Sequence, residues 1–264
     1  MKNPIGICSW SLHNNPFEVF HTLEQTGLTH LHLGLVAANL FQEAIAENNW
    51  TVSATMLAFP QENYSSLDSI RETGGIVPDD CWALNRELVL DAIEKTAGMG
   101  VEFLSFHAGF IDHTDDERYQ EFCGRMRKLA DSALAADIVL LLETGQETAE
   151  DLRAFLENLN HPALGVNFDP ANMILYDKGD PIKAVRTLAP WIKHVHIKDA
   201  VKTPVSGQWG TEVPWGDGEV GCDKFIKTLD EIGYQGAMAV EREAGEKRAE
   251  DIKLAADRLG EVYG

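Results

Sequence analysis

The chain has 264 residues, 44% of them hydrophobic and 24% charged, proportions that suit a folded chain with a sizeable core and exclude a disordered or fibrous one. Its 42 acidic side chains outnumber the 22 basic ones, for a formal charge of −20. Such a surface repels phosphate backbones and anionic lipid headgroups, which argues against nucleic acid and membranes as partners. The longest strongly apolar run, Ile138 to Leu142, is far too short to cross a bilayer. The opening segment, MKNPIGICSWSL, carries no long apolar stretch of the signal-peptide kind. Cys8, Cys81, Cys123 and Cys222 are scattered and form no CxxC pair, so they read as reduced thiols of a cytoplasmic protein.

Short apolar, β-branched runs predict strands over 5–9, 29–33, 51–56, 101–106, 138–142, 164–168, 192–197 and 237–240. Stretches of helical period follow them, near 16–26, 38–48, 84–98, 115–136, 148–158, 180–188, 222–232 and 247–262. In the fourth of these helices, Asp115, Asp116 and Glu117 come early and Arg125, Arg127 and Lys128 later, a polarity that complements the helix dipole. Eight strand–helix pairs in this length predict an α/β fold, a (β/α)8 TIM barrel forming one domain over residues 1–264. A doubly wound sheet would place a Gly-rich turn after its first strand, where this chain has Trp10 and Ser11. Two long connections, 57–83 and 200–221, follow strands and so lie on the side where a barrel keeps its active site.

The last four strands end in polar residues: Glu143 after IVLLL, Asp169 after LGVNF, His196 within IKHVHIKD, and Glu241 after AMAV. Their spacings of 26, 27 and 45 residues equal one strand–helix unit, one unit, and one unit plus the long 200–221 loop. Equivalent positions in consecutive units converge on the mouth of a barrel. A single such carboxylate usually caps a helix or pairs with a lysine, but four converging groups would repel without a cation. Three carboxylates and one imidazole suit a single divalent ion, Mn2+ before Mg2+ or Co2+, with Zn2+ less favoured. Strand alternation puts His194, His196 and Lys198 on one face. His196 is then the ligand, His194 a deeper core histidine and Lys198 a cation above the metal, while Asp199 faces away and orients the next loop.

At the end of the fourth strand, His107 in FHAG is placed to contact substrate, and the Ala-Gly after it admits a close backbone approach. Trp10, Trp209 and Trp215 are candidate apolar walls, Trp215 being the one assigned to substrate. WGDGEVG contains a GxG but lacks the strand before and helix after that a nucleotide-binding turn needs, and reads as a turn in the seventh loop.

In order along the chain, the strand-end Glu, FDPAN, HVHIKD, PWGDGEV and AVERE resemble the xylose-isomerase-like TIM-barrel superfamily of sugar isomerases and epimerases, most specifically over 138–245. That superfamily includes ketose 3-epimerases, hydroxypyruvate isomerases, inosose dehydratases and endonuclease IV. The resemblance to the ketose 3-epimerase branch implies Glu143, Asp169, His196 and Glu241 as ligands of one divalent metal. It also implies that Glu143 and Glu241 are the acid/base groups. The chain departs from that branch at Asn172, where a substrate-contacting His is usual, and in lacking an Arg-bearing segment after the seventh-strand His; Lys198 and Lys202 are the nearest cations. Asn172 still hydrogen-bonds a hydroxyl but does not titrate. Endonuclease IV uses a multi-zinc cluster with more His ligands, and the charge of −20 disfavours DNA.

The expectation is a metal-dependent isomerase or epimerase acting on a small keto-sugar through an enediolate. The rivals are a lyase or dehydratase on a keto-sugar, keto-glycoside or inosose, and a non-catalytic sugar-binding barrel. A homo-oligomer is left open by the sequence.

Overall fold

In a computed structural model that describes residues 3–205 and 207–263, eight parallel strands close into a ring. They are β1 (Ile5–Cys8), β2 (His30–Gly34), β3 (Thr51–Met56), β4 (Phe103–Phe106), β5 (Val139–Glu143), β6 (Leu164–Phe168), β7 (Ile192–Ile197) and β10 (Ala237–Val240), which returns to β1. A separate antiparallel pair, β8 (Asp199–Val201) and β9 (Thr211–Val213), lies in the connection after β7. The helices are α1 (Pro16–Thr26), α2 (Ala38–Asn48), α3 (Leu67–Thr73), α4 (Asp79–Gly98), α5 (Asp116–Ala135), α6 (Ala149–Leu159), α7 (Pro170–Leu175), α8 (Pro181–Leu188), α9 (Cys222–Glu231) and α10 (Arg248–Tyr263).

Four strands coincide with the sequence expectation residue for residue: β3, β6, β7 and β10. The two long connections are more ordered than the sequence suggested. Residues 57–83 contain α3, started by Ser66 accepting from the Ser69 N–H, and the first turn of α4. In that turn Asp79 and Asp80 complement the helix dipole. Residues 200–221 contain most of the β8–β9 hairpin.

Alternation along the strands sorts the side chains into two environments. One parity is apolar and faces the helices: Leu31, Leu33, Leu104, Phe106, Leu140, Leu142, Val166, Phe168, Val195 and Ile197 are all buried. Phe168 stacks on Phe225 of α9, with ring centroids 6.0 Å apart. The other parity carries polar groups into the barrel interior: His32, Ser105, Asn167, His194 and His196, each 0% exposed. Burying that many polar groups is tolerable only if they bond to one another. They do: His32 bonds Ser105, and His194 bonds Asn167 and Ser53.

Two glycines let the loops close over the mouth. Gly109 has φ +94°, and a Cβ there would collide with the Gly74 carbonyl, so the 57–78 segment packs directly on the loop after β4. Gly218 lies against Asp199, whose carboxylate a Cβ would strike. Asp199 accepts from the N–H groups of Ala200, Gly216, Gly218 and Val220 and from the Cys222 thiol. That single buried carboxylate organises the loop between β9 and α9.

Candidate metal centre

Glu143 closes β5, Asp169 follows β6, His196 is the fifth residue of β7 and Glu241 follows β10. All four are buried, and one ligand atom from each lies within 4.8 Å of the others. His196 Nδ1 sits 3.4 Å from Glu143 Oε1, 3.6 Å from Asp169 Oδ2 and 3.2 Å from Glu241 Oε2. Three of these atoms, His196 Nδ1, Asp169 Oδ2 and Glu241 Oε2, are buried without a hydrogen bond, although the Lys198 ammonium forms an ion pair with Glu241 Oε2. Orphaned buried polar atoms carry a cost of about 1–3 kcal/mol each. Three aimed at one point fit a cation, which satisfies them together.

Asp169 shows how a capping residue also serves as a ligand. Its Oδ1 accepts from the N–H groups of Ala171 and Asn172 as the N-cap of α7, which fixes the rotamer and leaves Oδ2 facing the cluster. Glu143 is held by Asn172 Nδ2 at 3.0 Å on Oε1 and by Asn167 Nδ2 at 3.3 Å on Oε2. Glu241 Oε1 accepts from the Trp10 indole N–H at 2.6 Å, which turns Oε2 inward.

Burial by itself would raise all three carboxyls, and it does raise Asp169. Lys198 and His196 outweigh it at Glu241, holding that carboxyl well below the ordinary range. His107 and His196 lower Glu143 in the same way. Burial opposes a charge on His196, yet the negative groups around it hold its pKa well above the usual value. The cluster therefore calls for positive charge at its centre.

Lys198 is buried directly above this point. Its Nζ lies 2.8 Å from Glu241 Oε2, 3.6 Å from Asp169 Oδ2, 3.0 Å from Glu243 Oε2 and 4.0 Å from Glu212 Oε2. His107 stands beside it, Nε2 4.0 Å from Glu143 Oε1 and Nδ1 buried with no partner. These groups and Asn172 line a cavity of about 970 Å3 at the C-terminal mouth of the barrel. The structure brings together Glu143, Asp169, His196, Glu241, His107, Asn172 and Lys198, and it sends Trp215 elsewhere. The Trp215 ring is buried against Phe225, centroids 6.0 Å apart, outside the lining of the cavity. Trp10 and Trp209 line it instead.

The family model described as a xylose isomerase-like TIM barrel matches residues 16–261. The chain belongs to this family. Among its xylose isomerase-like relatives, a 3-dehydroshikimate dehydratase of Bacillus anthracis is 34% identical over 96 residues, 34% of this chain and 33% of that protein. A ketose 3-epimerase of Arthrobacter globiformis is 30% identical over 112 residues, 42% of this chain and 34% of that one. The chain thus spans about a third of the length of either curated relative. Across the whole barrel, a xylose isomerase domain protein from Planctomyces limnophilus superposes with a TM-score of 0.91 at 28% identity, covering 99% of this chain and 98% of that one.

Sequence reasoning missed the neighbour that orients His196 in this xylose isomerase-like site. A cation on Nδ1 requires the ring proton on Nε2, and His32 Nδ1, 3.0 Å away, is there to accept it. With Nε2 protonated, the Asn167 amide is left to Glu143 Oε2. His32 in turn bonds Ser105 Oγ at 2.8 Å through Nε2. Burial, with His194 and His196 beside it, pushes the His32 pKa well down, so the ring is neutral and able to accept. Cys8, His32 and His196 also lie within 4.8 Å of one another. Burial pushes the Cys8 thiol up to about 12, and the two imidazoles already bond each other, so that trio offers neither a thiolate nor a free imidazole nitrogen pair to an ion.

Proposed function

We propose that the chain is a divalent-cation-dependent isomerase or epimerase of a small keto-sugar, working through an enediolate with Glu143 and Glu241 as the proton-transfer groups. The observation that carries this reading is the convergence of four buried ligand groups on one point at the mouth of the barrel, three of them with an inward atom that makes no hydrogen bond. Glu143, Asp169, His196 and Glu241 would hold the ion, and three hard oxygens with one imidazole favour Mn2+ or Mg2+. Bound there, the ion supplies Lewis-acid stabilisation of the negative charge that develops on the substrate oxygens.

The chain's own residues do the rest. Glu143 and Glu241 approach from the fifth and last strands of the ring, so a substrate between them presents opposite faces to the two carboxylates. One removes the proton next to the carbonyl, and the other returns a proton from the opposite face, which inverts that carbon. Return to the neighbouring carbon gives aldose–ketose isomerisation. Lys198 places a buried positive charge beside Glu241, where anionic character develops. His107 Nδ1 and the Asn172 amide are placed to bond substrate hydroxyls.

A second reading, β-elimination from the same enediolate, is favoured by the dehydratase among the relatives. Both readings are tested by incubating the Mn2+-loaded protein with keto-sugars in deuterium oxide. Exchange accompanied by an isomeric or epimeric sugar supports isomerase or epimerase chemistry, and an unsaturated product supports elimination. Glu143→Gln and Glu241→Gln, assayed at saturating Mn2+, should each abolish exchange while the fold survives; near-normal exchange in either removes that residue from the proton-transfer role.

A further inference from the structure

The cavity above the cluster is larger and more apolar than a bare sugar requires. Ligand sites span roughly 300–1,000 Å3, and about 970 Å3 stands at the upper end of that range. Leu35 and Val36 follow β2, Leu57 follows β3, and Leu88 projects from α4. Tyr176 and Trp209, in the connections after β6 and β7, form the wall across the ring, packed at 4.6 Å between centroids. Val36 is 91% exposed at the rim, an apolar side chain held in water with nothing covering it. The Trp209 indole nitrogen is buried with no partner.

Charge narrows the ligand further. Among the described residues lining the cavity, the lysines are Lys95 and Lys198, and both are already paired. Lys95 lies 2.6 Å from Asp91 Oδ2 on the surface of α4, and Lys198 is surrounded by Asp169, Glu212, Glu241 and Glu243. Lys202 is engaged with Asp177 and lies outside the lining. A phosphate or carboxylate on the substrate, held away from the ion, would meet Glu62, Glu212 and Glu243 and, among the described lining residues, no unpaired lysine or arginine.

We propose, resting on the keto-sugar reading above, that the substrate is an uncharged keto-sugar joined to an apolar, aryl-sized group. The sugar oxygens lie over Glu143, Asn172, Lys198 and Glu241, and the apolar group lies between the Leu35–Val36–Leu57 wall and Trp209. No step of the chemistry changes; the apolar group supplies affinity distant from the reacting carbon.

The test uses the Mn2+-loaded protein and four probes: the methyl and phenyl 3-keto-β-glucosides, free 3-ketoglucose and its 6-phosphate. A 3-keto-sugar is chosen because its carbonyl is flanked by hydroxyl-bearing carbons on both sides. Binding is measured by equilibrium dialysis, and solvent-deuterium exchange by mass spectrometry. An aryl group burying about 100 Å2 of apolar surface should bind the phenyl probe roughly 70-fold tighter than the methyl one. The 6-phosphate should bind more weakly than free 3-ketoglucose. Val36→Asp, at a position exposed enough to leave folding intact, should bring the phenyl-to-methyl ratio toward one. Equal binding of phenyl and methyl probes, or tighter binding of the phosphate, overturns the inference. Phenyl preference without exchange on any probe upholds the substrate class and overturns the enediolate chemistry instead.

Discussion

Replacing Glu147 by Gln should make the protein more stable at pH 8 and leave it nearly unchanged at pH 4.5. Glu147 lies in the loop after β5, just beyond the ligand Glu143, and its Oε1 accepts from the Ile111 N–H. Beside it, Gln146 Oε1 accepts from the Gly109 N–H, so two rungs tie this loop to the one carrying His107. Burial raises the Glu147 carboxyl from 4.5 to about 7, against the smaller opposing effects of the Ile111 N–H and Lys178. A carboxyl with a raised folded pKa holds its proton more tightly in the folded chain than in the unfolded one. Stability is therefore undiminished below about 4.5, falls as pH rises, and levels off above about 7. At 1.36 kcal/mol per unit, the loss reaches about 3 kcal/mol. Gln keeps the oxygen that accepts from Ile111 and removes the buried charge. Urea unfolding of both proteins at pH 4.5, 6 and 8 isolates the effect as their difference, because every other titrating group is common to both. A gap opening to roughly 3 kcal/mol at pH 8, or about 5–10 °C in Tm, is expected. A gap that does not change with pH would refute the reasoning.

Three further outcomes follow from the same contacts. His196→Ala should weaken Mn2+ binding, read by calorimetry at about one ion per chain, far more than His194→Ala. The latter should instead cost roughly 1–3 kcal/mol of stability by stranding Asn167 and Ser53. His32→Phe should lower Mn2+ affinity about 10–100-fold without removing a ligand, since His196 loses the acceptor for its Nε2 proton; unchanged affinity would remove His32 from that role. Asp199→Ala should cost roughly 3 kcal/mol or more, and hydrogen exchange should rise at Gly216, Gly218 and Val220, whose N–H groups lose their common acceptor.

The strands and most helices were legible because their signals are local. A run such as LGVNF, preceded by Pro162 and followed by Asp169 and Pro170, reads as a buried strand, and β6 occupies those residues. Glu143, Asp169, His196 and Glu241 stood out because a repeated strand–helix unit carries chemical information in its spacing; parity put His194 and His196 on one face, and depth along the strand separated them. What only the tertiary structure decided depends on closure of the ring and on loop geometry. HLHLG reads as an ordinary alternating strand, and nothing local says that its central His reaches across the interior to His196. Trp10 meets Glu241 only because β1 pairs with β10. Trp209 lines the cavity from the β8–β9 connection, whereas Trp215 lies outside it in the loop between β9 and α9, which is folded around Asp199 by a non-local set of hydrogen bonds that no period in the sequence encodes. Local propensity specifies the elements, while contacts between residues far apart in the chain specify which side chains face the substrate.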